Sequence, residues 1–149
     1  MIYRLKELKG DTIAVPQLVF SKLGIAEEYN VRVALYVLAT GITDPDAVAQ
    51  MSGSFVEMGG DSCVVYSLGG TRLNSIQSGY ARPAIAAGKT RFVLYNRSGN
   101  ELRVESRTQN LYSKTLENSI YLCAMSDTGT LAVATDSADS TARLTVYTP

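Results

Sequence analysis

The stretch DPDAVAQMSGSFVEMGGDSCVVY, residues 44–66, contains two kinds of sequence pattern. Its first part resembles a helix start, because Asp44 is a favourable N-cap residue and Pro45 is tolerated in a first helical turn. Its second part has the turn glycines and short β-rich run of a hairpin. We therefore expect two units, a helical one before the junction at residues 51–61 and a β-rich one after it.

The segments before this junction predict helices. VPQLVFSKLGI carries a proline near its start and a glycine at its end, and AEEYNVRVALYVLATGI places Val31, Leu35 and Leu38 at helical spacing. TDPDAVAQ then predicts the start of a third helix. Together with YRL, residues 3–5, these segments resemble the N-terminal region of the DnaD family over residues 1–50. The resemblance implies a winged-helix-like unit that assists bacterial replication initiation and binds DNA.

The residues after the junction, 62–149, predict an antiparallel β-meander, because runs of four to seven β-prone residues alternate with turns. VVYSLGGTRL (64–73) matches VLYNRSGNEL (93–102) at an offset of 29 residues. TRFVLY (90–95) matches TLAVAT (130–135) at an offset of 40. Since a propeller blade takes about 40 residues, we expect about two propeller-type blades and not a closed propeller.

The stretch from GYARPAIAAGKTRFVLYN to TARLTVY strengthens this expectation. It resembles part of an uncharacterised bacterial β-propeller family over about residues 55–147. The resemblance implies repeats that sit behind a single membrane anchor in that family, and it implies structural turns with no catalytic residue. The predicted fold class is thus α+β, with a helical DnaD-N-terminal-like fragment (1–50), a junction (51–61) and a β-propeller-like repeat fragment (62–149).

Composition argues against catalysis. The chain has no histidine, which removes the usual general base, and it has no Walker-type phosphate loop. DTGT, beginning at Asp127, matches the aspartic-protease signature, but SDTG is also ordinary hairpin-turn sequence. Cys63 and Cys123 lie in apolar runs typical of buried thiols. We expect no catalytic, cofactor-binding or metal-binding residue, and no cofactor.

Two surface patterns leave alternatives open. Arg103, Glu105 and Arg107 share one strand face, which predicts a solvated charge stripe or, alternatively, a polar binding rim. A set of tyrosines predicts either strand packing or a carbohydrate- or peptide-binding surface: Tyr66, Tyr95, Tyr112, Tyr121 and Tyr147.

The predicted function is a non-enzymatic β-repeat interaction or scaffold module, fused to a truncated helical unit. The alternative is a DnaD-like accessory protein of replication initiation. Open sheet edges predict a protein partner, either a second copy or another propeller fragment. The formal net charge of +0 argues against a nucleic-acid partner, although the N-terminal unit keeps that possibility open. Since no signal peptide or membrane-spanning segment is evident, we expect no membrane partner and a cytoplasmic location.

Overall fold

The computed structural model describes residues 2–7, 33–38, 42 and 46–149. The chain divides into two compact units, Met1–Gly41 and Ile42–Pro149. The described residues contain β-strands and no helix. The prediction of antiparallel β-sheet is therefore confirmed, whereas the α+β class, with its helical N-terminal unit, is wrong.

The first unit contains an antiparallel pair of strands. β1 (Ile2–Glu7) pairs with β2 (Val33–Leu38), so that Ile2 lies opposite Leu38. The helix predicted across this segment is thus wrong for residues 33–38. Short apolar runs do not distinguish a helix from a strand by spacing alone, and the valines and tyrosine of VALYVL favour a strand. The helix predicted in VPQLVFSKLGI lies outside the described residues.

The second unit contains three antiparallel sheets in which sequential strands are neighbours. Sheet 1 consists of β3 (Ala47–Met51), β4 (Ser54–Gly59), β5 (Ser62–Ser67) and β6 (Arg72–Gln77). Sheet 2 consists of β7 (Pro83–Ala87), β8 (Arg91–Asn96), β9 (Glu101–Ser106) and β10 (Asn110–Thr115). Sheet 3 consists of β11 (Ile120–Met125), β12 (Leu131–Thr135) and β13 (Arg143–Tyr147). The described residues of the second unit thus form three sheets, where about two blades were predicted for residues 62–149.

The third helix predicted from TDPDAVAQ is also wrong, because its second half forms β3. The acidic side chain that precedes β3 acts in a turn instead. An Oδ2 atom of Asp46 accepts a hydrogen bond from the backbone N–H of Gly60 at 2.8 Å, which ties the start of β3 to the turn between β4 and β5. The residues predicted as a junction, 51–61, therefore contain β4, and Asp44 lies outside the described residues.

Equivalent turns define the repeat. Met51 pairs with Ser54 in sheet 1, Gly88 hydrogen-bonds to Arg91 in sheet 2, and Ser126 hydrogen-bonds to Thr130 in sheet 3. Ser54, Arg91 and Thr130 are therefore equivalent, and the repeats are separated by 37 and 39 residues. The predicted offset of 29 residues aligns β5, the third strand of sheet 1, with β8, the second strand of sheet 2. The predicted offset of 40 is one residue too long, and a shift of one residue exchanges the two faces of a strand.

In sheets 1 and 2, we call the face that packs against the next sheet along the chain the front face, and the opposite face the back face. The equivalent faces of sheet 3 carry the same names. The front face of sheet 1, which includes Val56 and Val65, packs against Phe92 and Leu94 on the back face of sheet 2. A second core lies between sheets 2 and 3. The front face of sheet 2 contributes Val93, Tyr95, Leu102 and Val104 to it, and the back face of sheet 3 contributes Ile120, Cys123, Leu131 and Val133. The three sheets thus form a stack with two interfaces of the same kind.

Gly88 is required where the turns of sheets 2 and 3 meet. A Cβ atom at this position would lie 2.1 Å from the backbone oxygen of Ser126, which is far inside van der Waals contact. The absence of a side chain lets the two turns approach each other.

Candidate functional site

The front face of sheet 3 is formed by alternate residues of its three strands. In the observed register, Leu122 lies beside Ala134, which lies beside Leu144, and Ala124 lies beside Ala132, which lies beside Val146. All six side chains are apolar. These six residues therefore form a continuous apolar patch, and Tyr121, which is exposed and donates a hydrogen bond to Asp136, lies beside Leu122 at its end.

Exposure distinguishes this face from its equivalent in sheet 2. Leu144 and Val146 occupy the positions that Leu102 and Val104 occupy in sheet 2, because each pair faces the second strand in the same register. Leu102 and Val104 are 0% exposed, whereas Leu144 is 67% and Val146 57% exposed. Leu122, on the same face, is 53% exposed. The difference arises because sheet 3 covers sheet 2, while no described residue covers the front face of sheet 3.

The sequence carried a signal for this surface that the strand predictions did not use. LAVAT is apolar at four consecutive positions, and IYLCAM is apolar throughout. Continuous apolar runs are typical of strands that are covered on both faces. In the structure, only the back faces of these two strands are covered by described residues.

The outer edge of sheet 3 is a second open feature. In sheets 1 and 2, the third strand is followed by a fourth, β6 and β10, respectively. In the described chain, sheet 3 ends at β13. Beside this edge lies a groove of about 510 Å³, whose lining comes from β10 and from the end of the chain. These lining residues are Tyr112, Ser113, Lys114 and Val146–Pro149.

A buried polar cluster lies on the back face of sheet 2. Glu105 is 1% exposed, and its Oε1 atom accepts hydrogen bonds from Nε of Arg103 at 2.5 Å and from Nδ2 of Asn110 at 2.7 Å. The prediction of a solvated stripe is therefore wrong for Glu105, although Arg107 is exposed. Sheet 1 packs on this face and brings Cys63 near Glu105. Burial is the main cause of the raised pKa of Cys63, and the charge of Glu105 raises this pKa further. The cluster has the features of a structural ion pair.

Glu57 is a second buried carboxylate, on the back face of sheet 1. It occupies the position of Leu94 in sheet 2 and Val133 in sheet 3, counted from the equivalent turns. Glu57 is 0% exposed, and neither of its carboxylate oxygens has a hydrogen-bond partner within the described part of the chain. Beside it, the rings of Phe55 and Tyr66 stack with centroids 5.5 Å apart. Burial, and then the charge of Glu57, raise the pKa of Tyr66.

The remaining candidates from the sequence do not form one site. The carboxylate of Asp127 lies in an exposed turn and forms an ion pair with Lys89 at 2.8 Å. Gly129 in the same turn has a φ of +92°, as its turn sequence predicted. The five tyrosines are divided among the core and the surface, since Tyr95 is buried whereas Tyr121 is exposed and donates a hydrogen bond to Asp136.

The thiols of Cys63 and Cys123 are both buried and unpaired. Burial raises each thiol pKa to about 12, so that the protonated form dominates near neutral pH. Neither cysteine therefore has the thiolate character of a nucleophile.

Two kinds of feature are absent from the residues that the structure describes. These residues contain no group of three or more histidine, cysteine, aspartate or glutamate side chains that could hold a metal ion. No helix among them is long and apolar enough to cross a membrane.

Comparison with known proteins identifies a family but no activity. None of the curated proteins compared with the chain matches it. A family model described as "Family of unknown function (DUF5711)" matches residues 29–149. This match supports neither the DnaD nor the propeller resemblance, and it begins within the segment predicted to be DnaD-like. Because the match covers most of the 149 residues, the chain belongs to the DUF5711 family of unknown function.

Proposed function

We propose that the protein is a non-enzymatic interaction module that binds another β-sheet through the front face of sheet 3. The observation that carries this proposal is the exposure of Leu122, Leu144 and Val146 in one contiguous apolar patch. Contiguous exposed apolar surface of this kind marks protein interaction sites.

The chain itself indicates what kind of surface fits this face. The equivalent front faces of sheets 1 and 2 are each covered by the back face of another antiparallel sheet. The covering residues include Phe92 and Leu94 in one interface and Leu131 and Val133 in the other. A partner for sheet 3 is accordingly a sheet with branched aliphatic or aromatic side chains on the contacting face.

In a solution of the pure protein, this partner is a second copy of the chain. The apolar patch of Leu122, Leu144 and Val146 with its three alanines holds no charged residue, so two copies of it meet without charge repulsion. Three of the six positions on this face are alanines, namely Ala124, Ala132 and Ala134. Their short side chains let two such faces approach each other closely. An isologous contact of this type forms a closed dimer.

Sedimentation velocity over a range of protein concentrations tests the proposal. We expect a reversible monomer–dimer equilibrium for the unaltered chain. Leu144→Lys places a charge within the proposed interface and shifts the equilibrium to monomer, because a buried unpaired charge is strongly unfavourable.

Val48→Lys is the matched control. Val48 is 53% exposed but lies on sheet 1, away from the proposed interface. This variant keeps the concentration dependence of the unaltered chain. A monomer at every concentration, or equal dimerisation of the Leu144→Lys variant, would contradict the proposal.

A further inference from the structure

We propose that Arg82 and Arg97 bind the phosphate group of a small ligand in a groove between sheets 1 and 2. This arginine groove has a volume of about 500 Å³ and lies at the end of both sheets opposite to the equivalent turns. Its lining consists of Asp46, Ala47 and Met58 on the side of sheet 1 and of residues 82–85 and 97 on the side of sheet 2. Sites for small molecules are typically clefts of about 300–1,000 Å³, so the groove has room for a small ligand.

The two arginines lie directly opposite each other at the end of the β7–β8 ladder. Pro83 pairs with Asn96, and the residues just beyond this pair are Arg82 and Arg97. The backbone N–H of Arg97 donates a hydrogen bond to the backbone oxygen of Arg82 at 2.8 Å. Since the Cβ atoms of opposite residues lie about 4.5–5.5 Å apart, both guanidinium groups can reach one ligand group.

This pair of like charges has no counter-ion among the residues that the structure describes. Arg82 and Arg97 are both exposed, and neither forms an ion pair within that part of the chain. The carboxylate in the lining, Asp46, accepts a hydrogen bond from the backbone N–H of Gly60 instead. Like charges directly opposite each other in a sheet are destabilising. A bound anion removes this repulsion.

Comparison with sheet 3 shows that the fold does not require two arginines here. Counted from the equivalent turns, Asp136 occupies in sheet 3 the position of Arg97 in sheet 2. The backbone N–H of Asp136 donates a hydrogen bond to the oxygen of Ser119 at 2.8 Å, as that of Arg97 does to Arg82. The same ladder end thus forms with an aspartate and a serine, so the arginine pair is specific to sheet 2.

The backbone that carries the arginines is fixed by Asn96. Its Oδ1 atom accepts a hydrogen bond from the backbone N–H of Arg82 at 3.2 Å. Gly99 provides the space for this side chain, because a Cβ atom at Gly99 would clash with the amide group of Asn96. A site whose backbone is already ordered loses less conformational entropy when it binds a ligand.

Phosphate matches this pair of guanidinium groups better than a carboxylate does. Each guanidinium has five N–H donors, and the two together carry two positive charges. A phosphate monoester carries a charge of about −1.5 to −2 near pH 7 and has three acceptor oxygens, so both arginines can bind one phosphate group. Asp46 disfavours a second anionic group in the groove but accepts a hydrogen bond from a hydroxyl. The lining therefore favours a phosphate group on a small hydroxylated molecule.

An NMR chemical-shift titration of the ¹⁵N-labelled full chain tests this inference. The probes are inorganic phosphate and glycerol 3-phosphate, and acetate at the same ionic strength is the control anion. We expect saturable shifts at the amides of Arg82 and Arg97 with both phosphates and none with acetate. Tighter binding of glycerol 3-phosphate assigns the site to a phosphate ester, and tighter binding of inorganic phosphate assigns it to the free ion. The front face of sheet 3 does not contribute to this groove, so the result is independent of dimerisation.

Three variants separate this site from general charge attraction. Arg82→Gln and Arg97→Gln each weaken binding of glycerol 3-phosphate about tenfold, because each removes charge-assisted hydrogen bonds. Arg143→Gln is the matched control: it removes the same charge from an exposed position of β13, outside the groove, and leaves binding unchanged. Neither groove variant lowers the melting temperature, since each removes the repulsion between the two arginines.

The absence of saturable shifts with both phosphates would overturn the inference, as would equal shifts with acetate. Equal weakening by Arg143→Gln and the groove variants would also overturn it, because it would show attraction to the overall charge of the protein. A lower melting temperature of both groove variants would count against it as well, since the arginines would then serve to stabilise the fold.

Discussion

Replacing Glu57 by leucine is expected to stabilise the protein. The carboxylate is 0% exposed and lacks a hydrogen-bond partner within the described residues, although its equivalents in sheets 2 and 3 are leucine and valine. An unsatisfied buried acceptor costs about 1–3 kcal/mol, and a charged one costs more. Leucine removes this cost and matches the apolar residues of the repeat. We therefore expect Glu57→Leu to raise the free energy of unfolding by about 2 kcal/mol at neutral pH.

Urea denaturation followed by circular dichroism measures this change. Glu57→Gln removes the charge but keeps an unpaired polar group, so its gain is smaller, below about 1 kcal/mol. Glu101→Leu, at an exposed position of β9, is the control and changes stability by less than about 0.5 kcal/mol. A loss of more than about 1 kcal/mol in Glu57→Leu would refute the reasoning, because it would show that the native protein compensates the carboxylate.

Two further predictions concern the buried polar groups. Arg103→Met leaves the carboxylate of Glu105 buried with Asn110 as its remaining partner, and it lowers the free energy of unfolding by about 2–3 kcal/mol in urea denaturation; no measurable loss would show that the ion pair is dispensable. The thiols of Cys63 and Cys123 have folded-state pKa values of about 12 against an ordinary value of 9.0, so their contribution to stability is complete below pH 9 and declines as the pH rises towards 12. We expect the Cys63→Val/Cys123→Val variant to lose less stability than the unaltered chain between these pH values, and a thiol reagent to label the native protein at pH 8 only as fast as the protein unfolds; faster labelling would contradict the burial argument.

Local sequence predicted the individual β-strands of the second unit well. ELRVES coincides with β9, and TRFVLYN and TLAVAT each extend one residue beyond β8 and β12, respectively. Turn chemistry was equally informative, as the positive φ of Gly129 demonstrates. These features depend on residues that are neighbours along the chain, which is why a single sequence is sufficient for them.

The errors came from patterns with more than one local solution. VALYVL and DAVAQ satisfy helix signals over a few residues, yet residues 33–38 and 47–51 form strands because each pairs with a second strand elsewhere in the chain. The repeat was recognised, but its register was not, since an alignment of short apolar runs does not establish which strand of a sheet each run occupies.

The sequence by itself determined that residues 62–149 form an antiparallel meander, that the chain lacks histidine, and that its charges balance. Only the tertiary structure decided which face of each strand is covered. Leu102 and Leu144 lie in similar strand sequences, but one is 0% and the other 67% exposed, because a further sheet packs on the first alone. Likewise, Glu105 and Arg107 share one strand pattern, and only the packing of sheet 1 on sheet 2 buries the glutamate. Burial depends on residues that are distant along the chain, and so does the candidate site.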